Sequence, residues 1–168
     1  MPIQTEVEFA EVEVAPALAV LVPGRCAADP SSITASITQA FETLKGYMGR
    51  HGLAPIAPPR TIYTAYGPQG VEFTVAMPIL APQPAPASEP PAVIDNIRGT
   101  KAYRFTHHGS YSTLMQTYGQ ITVWLKERGL LQSEADWEKY MPMWEEYLND
   151  PESTPEAGLL TYIFLPIQ

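Results

Sequence analysis

The stretch Ile37–Leu53 reads ITQAFETLKGYMGRHGL, and 77 positions later Leu114–Leu130 reads LMQTYGQITVWLKERGL. In the first, Ile37, Phe41, Leu44 and Met48 precede Gly52-Leu53; in the second, Leu114, Tyr118, Ile121 and Leu125 precede Gly129-Leu130. Both sets follow helical spacing, so each stretch predicts a helix with one buried stripe and a glycine stop. Each leads through a loop to paired strand-like runs. The first pair closes on Val75-Ala76-Met77-Pro78-Ile79 and the second on Ile163-Phe164-Leu165-Pro166-Ile167. A unit stated twice predicts a pseudo-two-fold domain, and its seam is a natural place for a ligand cleft.

Outward from the first helix, Asp29-Pro30-Ser31-Ser32 supplies its start. Asp29 can accept from orphan backbone N–H groups, and Pro30 suits the first helical position. Upstream, Val7, Phe9, Val12 and Val14 alternate among glutamates. They predict a half-buried, bulged strand that continues through Leu18–Val22 and stops at Pro23-Gly24. Downstream, Ile62–Tyr66 and Val71–Met77 flank Gly67-Pro68-Gln69-Gly70, the pattern of a hairpin. Residues 81–92 are dense in proline and alanine and read as a semi-rigid connector. A proline-rich ligand for another protein is the weaker reading. Beyond it, Thr100–His107 predicts a strand, with Ser110 or Ser112 capping the second helix. Residues 131–142 form an insertion absent from the first unit. Met143–Leu148 and Leu159–Leu165 complete the second unit.

The fold class is therefore α+β: duplicated strand-helix-strand-strand units form an eight-stranded antiparallel sheet with two long helices on one face. The expected boundaries are 1–80 for the first unit, 81–92 for the connector and 93–168 for the second.

The chain has 168 residues, 45% of them hydrophobic, enough for one domain with its own core. A net charge of -8 disfavours direct binding to nucleic acid or to an anionic membrane surface. Met1–Glu6 lacks a basic start and an apolar run, so no secretion signal is expected. No apolar run approaches the ~20 residues that span a bilayer. Cys26 is the single cysteine, which rules out an internal disulfide and fits a cytoplasmic location. There is no phosphate-cradling glycine loop and no dinucleotide fingerprint, so no cofactor is expected. His107 and His108 are adjacent on a strand and point apart, so no metal site is expected from them. Ser110 has no nucleophile elbow around it and reads as a cap.

The ordered series His107-His108-Gly109-Ser110-Tyr111, Trp124–Leu130, Tyr147-Leu148-Asn149-Asp150-Pro151 and Leu159–Ile167 resembles the GyrI-like small-molecule-binding family. That family includes effector-binding domains of multidrug-responsive bacterial transcription regulators and relatives similar to the DNA gyrase inhibitor. The resemblance spans nearly the whole chain. It implies an aromatic cleft between the helices and the sheet that takes up flat, often cationic, organic molecules. It also implies a fork in function between sensing, free-standing binding and hydrolysis of reactive cyclopropane-containing toxins. One departure is visible: Tyr162 stands where relatives often carry an acidic residue. Tyr162 can stack or offer a cation–π face, but it is neutral.

The candidate ligand-binding residues are Tyr63, Tyr66, Tyr111, Tyr118, Trp144, Tyr147 and Tyr162, with Glu145 or Glu146 as the polar contributor. Glu145 and Glu146 point to opposite faces of one strand, so only one can look into the cleft. With no room for a helix-turn-helix, the expected function is a free-standing binder of a small, drug-like or toxin-like aromatic ligand that can be cationic. Two alternatives stand beside it. One is a hydrolase of cyclopropane-type toxins, with Glu146 and Tyr162 as its catalytic candidates. The other is an inhibitor that binds a protein partner such as DNA gyrase.

Overall fold

The computed structural model describes residues 7–82 and 84–167. Met1–Glu6, read above for a secretion signal, lies outside the described residues. Eight strands form one antiparallel sheet: β1 (Glu8–Val14), β2 (Ala17–Cys26), β3 (Arg60–Gly67), β4 (Gly70–Pro78), β5 (Val93–Ile97), β6 (Thr100–His108), β7 (Met143–Tyr147) and β8 (Leu160–Pro166). Two helices, α1 (Pro30–Arg50) and α2 (Leu114–Glu127), cover one face. The sheet order is β1-β6-β8-β7-β3-β4-β2-β5. Read inward from either end, it is a flanking strand, then the strand before a helix, then the last and the middle strand of the same half. The seam is the β3–β7 pair, which joins Thr61 to Glu145 and Tyr63 to Met143.

The single upstream strand expected from the sequence is two strands. The strand is divided at Ala15-Pro16: β1 pairs with β6, while β2 pairs with β4 and β5. Pro23-Gly24 does not end β2, which runs on to Cys26. β5 pairs only with Ala17–Leu21, so Pro23 is bonded from one side and its missing N–H interrupts no ladder. Gly24 is required there for a different reason: a Cβ would lie 2.4 Å from the Phe73 ring. β5 itself has no counterpart among the expected strands, because five residues with two polar ones carry little alternation.

α1 begins as its sequence dictates. The Asp29 carboxylate accepts from the Ser32 backbone N–H at 2.9 Å, with Pro30 next in the chain. Hydrogen bonds from Ser32 and Ser31 hold the Asp29 carboxyl down at about 2. Ile33, Ile37, Phe41, Leu44 and Met48 then pack with Val20, Val22, Phe73 and Val75 of the sheet. α2 lays Ile121, Trp124 and Leu125 on Phe105, Ile163 and Leu165. The insertion folds as a 3-10 turn over Glu134–Tyr140, and its Trp137 touches both clusters. The connector is tied to the end of α1: the Tyr47 hydroxyl donates to the Ala87 carbonyl at 3.1 Å, and Glu89 meets His51 at 2.9 Å.

Candidate functional site

β7 is only five residues long, yet it decides the site, because its side chains alternate between two unlike environments. Met143, Glu145 and Tyr147 face the helices; Trp144 and Glu146 face away. Glu145 is 4% exposed, and its neighbours are hydroxyls rather than cations. Tyr118 of α2 donates to one carboxylate oxygen at 2.5 Å, and Tyr147 donates to the other at 2.8 Å. Tyr63 of β3 is a further hydrogen-bond neighbour. The Tyr147 hydroxyl also lies 2.8 Å from the hydroxyl of Thr61, which stands opposite Glu145 across the seam.

Burial pushes the Glu145 carboxyl above its ordinary range, and the Tyr118 and Tyr147 donors, nearby His107 and Tyr63 only partly offset it. Burial together with that carboxylate raises the Tyr63, Tyr118 and Tyr147 hydroxyls well above the usual tyrosine value. They therefore remain protonated donors at any physiological pH. Tyrosine suits this position because it supplies a donor from an apolar body without cancelling the charge it holds.

Two half-buried rings sit against Tyr147 at the gap between the helices. Tyr111 meets it at 5.5 Å and Phe41 of α1 at 6.2 Å. Tyr111 is carried on a 3-10 turn that Ser110 caps through its side chain; α2, for which the sequence reading expects Ser110 or Ser112 as the cap, starts after this turn with Thr113 at its cap position and no side-chain cap. His107 anchors that turn from below. It is 3% exposed, its Nε2 donates to the Ser110 carbonyl at 2.9 Å, and its Nδ1 meets the Thr117 hydroxyl at 2.6 Å. Thr161 lies between His107 and Tyr147 in the ladder, fully buried, with a hydroxyl that has no hydrogen-bond partner among the described residues. Outside the seam, a groove of about 260 Å³ runs between α2 and strands β1 and β6, lined by Gln116, Gln120 and Glu8.

The structure thus divides the sequence-derived residues. Tyr63, Tyr111, Tyr118, Glu145 and Tyr147 come together beneath the helices. Trp144, Glu146 and Tyr162 share the opposite face, where Trp144 stacks on Phe164 and Glu146 pairs with Arg60. Tyr66 is 50% exposed at the hairpin end, past a bulge, and touches Tyr63 edge-on. Glu146 and Tyr162 are cross-strand partners, but on the face without helices. Sequence reasoning missed Phe41, Thr61, His107 and Thr161 as members of this site. Phe41 is absorbed by the helix stripe, and Thr61 and Thr161 depend on a register that no local pattern states.

A model of the GyrI-like small molecule binding domain matches residues 11–168. Among curated protein sequences none matches this chain. Among solved structures, the EcmrR C-terminal domain superposes with a TM-score of 0.75 at 18% identity, covering 98% of this chain and 99% of that one. SAV2435 bound to tetraphenylphosphonium superposes at 0.62 with 11% identity, covering 96% of this chain and 94% of that one. A hydrolase encoded by lin2189 from Listeria innocua superposes at 0.58 with 12% identity, covering 99% and 94%. These likenesses carry the fold, and the match over residues 11–168 carries the kinship. No helix among the described residues is long and apolar enough to cross a membrane. The chain belongs to the family of GyrI-like small-molecule-binding domains.

Proposed function

We propose that this protein is a cytoplasmic binder of aromatic small molecules, and that its preferred ligands are cations taken up in the seam around Glu145. The observation that carries this reading is a carboxylate buried to 4% exposure with tyrosine donors and no arginine or lysine pair among the described residues. An uncompensated buried charge is costly. A ligand cation supplies the missing compensation, and the surrounding rings supply cation–π faces. Entry requires Tyr111 and Phe41 to part from Tyr147. The mirrored strand order supports reading residues 1–80 and 93–168 as two copies of one unit joined by 81–92, with the ligand at their seam.

A thermal-shift titration with tetraphenylphosphonium and the neutral triphenylphosphine oxide tests this. A cation at 100 times its dissociation constant adds about 2.7 kcal/mol to the stability of wild type. Glu145→Gln abolishes that shift while leaving the neutral compound's effect in place. Equal shifts from both compounds, or a cation shift that survives Glu145→Gln, would sink the reading.

Hydrolysis is the second reading, and one observation favours it. Glu145 has a raised pKa and a hydroxyl on each oxygen, a combination that can hold a water as general base beside a tyrosine donor. The Glu146–Tyr162 pair is remote from this seam, so the catalytic candidates of this reading become Glu145 with Tyr118 or Tyr147. Mass analysis of a cyclopropane-bearing aromatic after incubation separates it from simple binding. The protein-inhibitor reading gains less support: the exposed apolar side chains Phe9, Tyr66 and Val123 lie on β1, β3 and α2, and Ile56 and Leu80 lie in loops joined by the Pro55–Ile79 bridge.

A further inference from the structure

The sheet face away from the helices holds positive charge that its own partners do not balance. Arg60 is 7% exposed, and its Nε lies 3.0 Å from Glu146 Oε1. Its guanidinium rests over Trp144, 5.6 Å from the ring centre. Trp144 stacks on Phe164 at 4.8 Å and 9°. Half-buried Arg104 lies over Tyr162 at 4.4 Å, and Tyr162 meets Phe164 edge-on at 6.1 Å. The register sets them on a shared face: Arg104, Phe164, Trp144 and Ile62 form one row, and Tyr162, Glu146 and Arg60 the next.

Two guanidiniums therefore share an aromatic floor with one carboxylate. Both Nε atoms are buried without a hydrogen-bond acceptor among the described residues; Glu146 is close enough to Arg60 to pair its charge, but not aligned with that N–H. Among the described residues Arg104 has no carboxylate partner. Glu8, at the rim of the same face, is exposed and lies 3.2 Å from His108 Nε2. A buried donor without an acceptor is costly, and a surplus cation over apolar rings adds to that cost. The chain as a whole carries -8, so this surplus is local and not a general attraction for anions.

We propose that this outer face is a second ligand site, for a flat organic anion of the aromatic carboxylate class. The ligand carboxylate meets the half-buried Arg104 guanidinium, whose planar fork matches two carboxylate oxygens, and its ring rests against half-buried Tyr162 beside it. A second copy of the chain fits this face poorly, because a two-fold contact would set guanidiniums against guanidiniums. The site is independent of the Glu145 seam, lies on the opposite face and selects the opposite charge.

Calorimetric titration of the whole chain with 2-naphthoate, and with the neutral 2-naphthylmethanol, tests the proposal. The acid binds about tenfold or more tightly than the alcohol, and Arg104→Gln removes that advantage. Arg104→Lys keeps the charge and recovers part of it, which separates recognition from a folding defect. Glu145→Gln leaves naphthoate binding unchanged. Amide shifts on naphthoate addition fall on β6, β7 and β8. Equal affinity for acid and alcohol, no heat up to the low millimolar range, or affinity indifferent to Arg104→Gln each overturns the proposal. So does a dimer in sedimentation that Arg104→Gln dissolves, since that face would then be an interface between copies.

Discussion

Glu145 looks toward the helices and Glu146 away from them, although one peptide bond separates them. Burial raises the pKa of both carboxyls. They are satisfied in opposite ways. Beneath the helices, hydroxyl donors hold Glu145 and leave its charge intact. On the outer face, the Arg60 guanidinium pairs with Glu146 and the Trp144 N–H points at it, while Arg104 adds a positive charge that makes no direct contact. The same group is thus available to a ligand on one side and already occupied on the other. Strand alternation places a carboxylate, but its partners decide whether it forms a site or a structural pair.

The largest effect expected from this comparison is on the outer face. Arg60→Ala leaves Glu146 buried without its cation and should cost about 3–5 kcal/mol in urea unfolding. Arg60→Met combined with Glu146→Leu removes both charges and should fall close to wild type. If Arg60→Ala proves nearly neutral, Glu146 is not held by that pair and the contrast fails.

Beneath the helices the matching change is milder. Tyr147→Phe removes one donor to a charged group and should cost about 1.5–3 kcal/mol. It should also raise the Glu145 titration midpoint further, as followed by carboxyl carbon resonances. An unmoved midpoint would mean that tyrosine donors are not what tempers Glu145.

A smaller effect is the pH dependence. The folded pKa of Glu145 lies above its ordinary 4.5, so the folded state keeps the proton longer than the unfolded chain. The stability from this group is complete below 4.5 and is lost as pH rises through the folded value. Wild type should therefore lose melting temperature relative to Glu145→Gln as pH rises from 4.5. Asp29 runs the other way: its contribution is complete above 3.8 and is lost as pH falls toward about 2. A flat wild-type minus Glu145→Gln difference would contradict the burial argument.

The smallest effect comes from the Arg25–Glu72 pair, 2.7 Å apart but with side chains 80% and 50% exposed. Arg25→Ala should change stability by at most about 1 kcal/mol, since water and salt screen the pair. Set beside Arg60→Ala, it measures how much burial, and not contact distance, governs the cost.

The helices and hairpins were legible in the sequence because their signals are local. The Asp29-Pro30 start, the Ile37–Met48 stripe and the Gly67–Gly70 turn are each written in neighbouring residues. That Glu145 and Glu146 must part was equally legible, from alternation alone. Which of the two faces the helices was not, because that depends on the pairing of β7 with β3 and β8, and β3 lies 80 or more positions away in the chain. The departure of β1 to the far half of the sheet was illegible for the same reason. A family motif marks Tyr162 as a site residue, but its alternation with buried Ile163 sets it on the outer face.

The exchange of flanking strands also bears on how the protein is made. Glu8 of β1 pairs with Thr106 of β6, so β1 leaves the ribosome roughly 5–20 s before its partner exists, at ordinary elongation rates. Even then β6 needs β8, the last strand of the fold, on its other side. During that interval β1 is an orphan edge with Phe9 and Val12 bare. Glu8, Glu11 and Glu13 interrupt those apolar residues, and a nascent segment so punctuated with like charges resists pairing with its own kind. The acidic alternation at the start of the chain thus protects the growing polypeptide before it shapes the finished sheet.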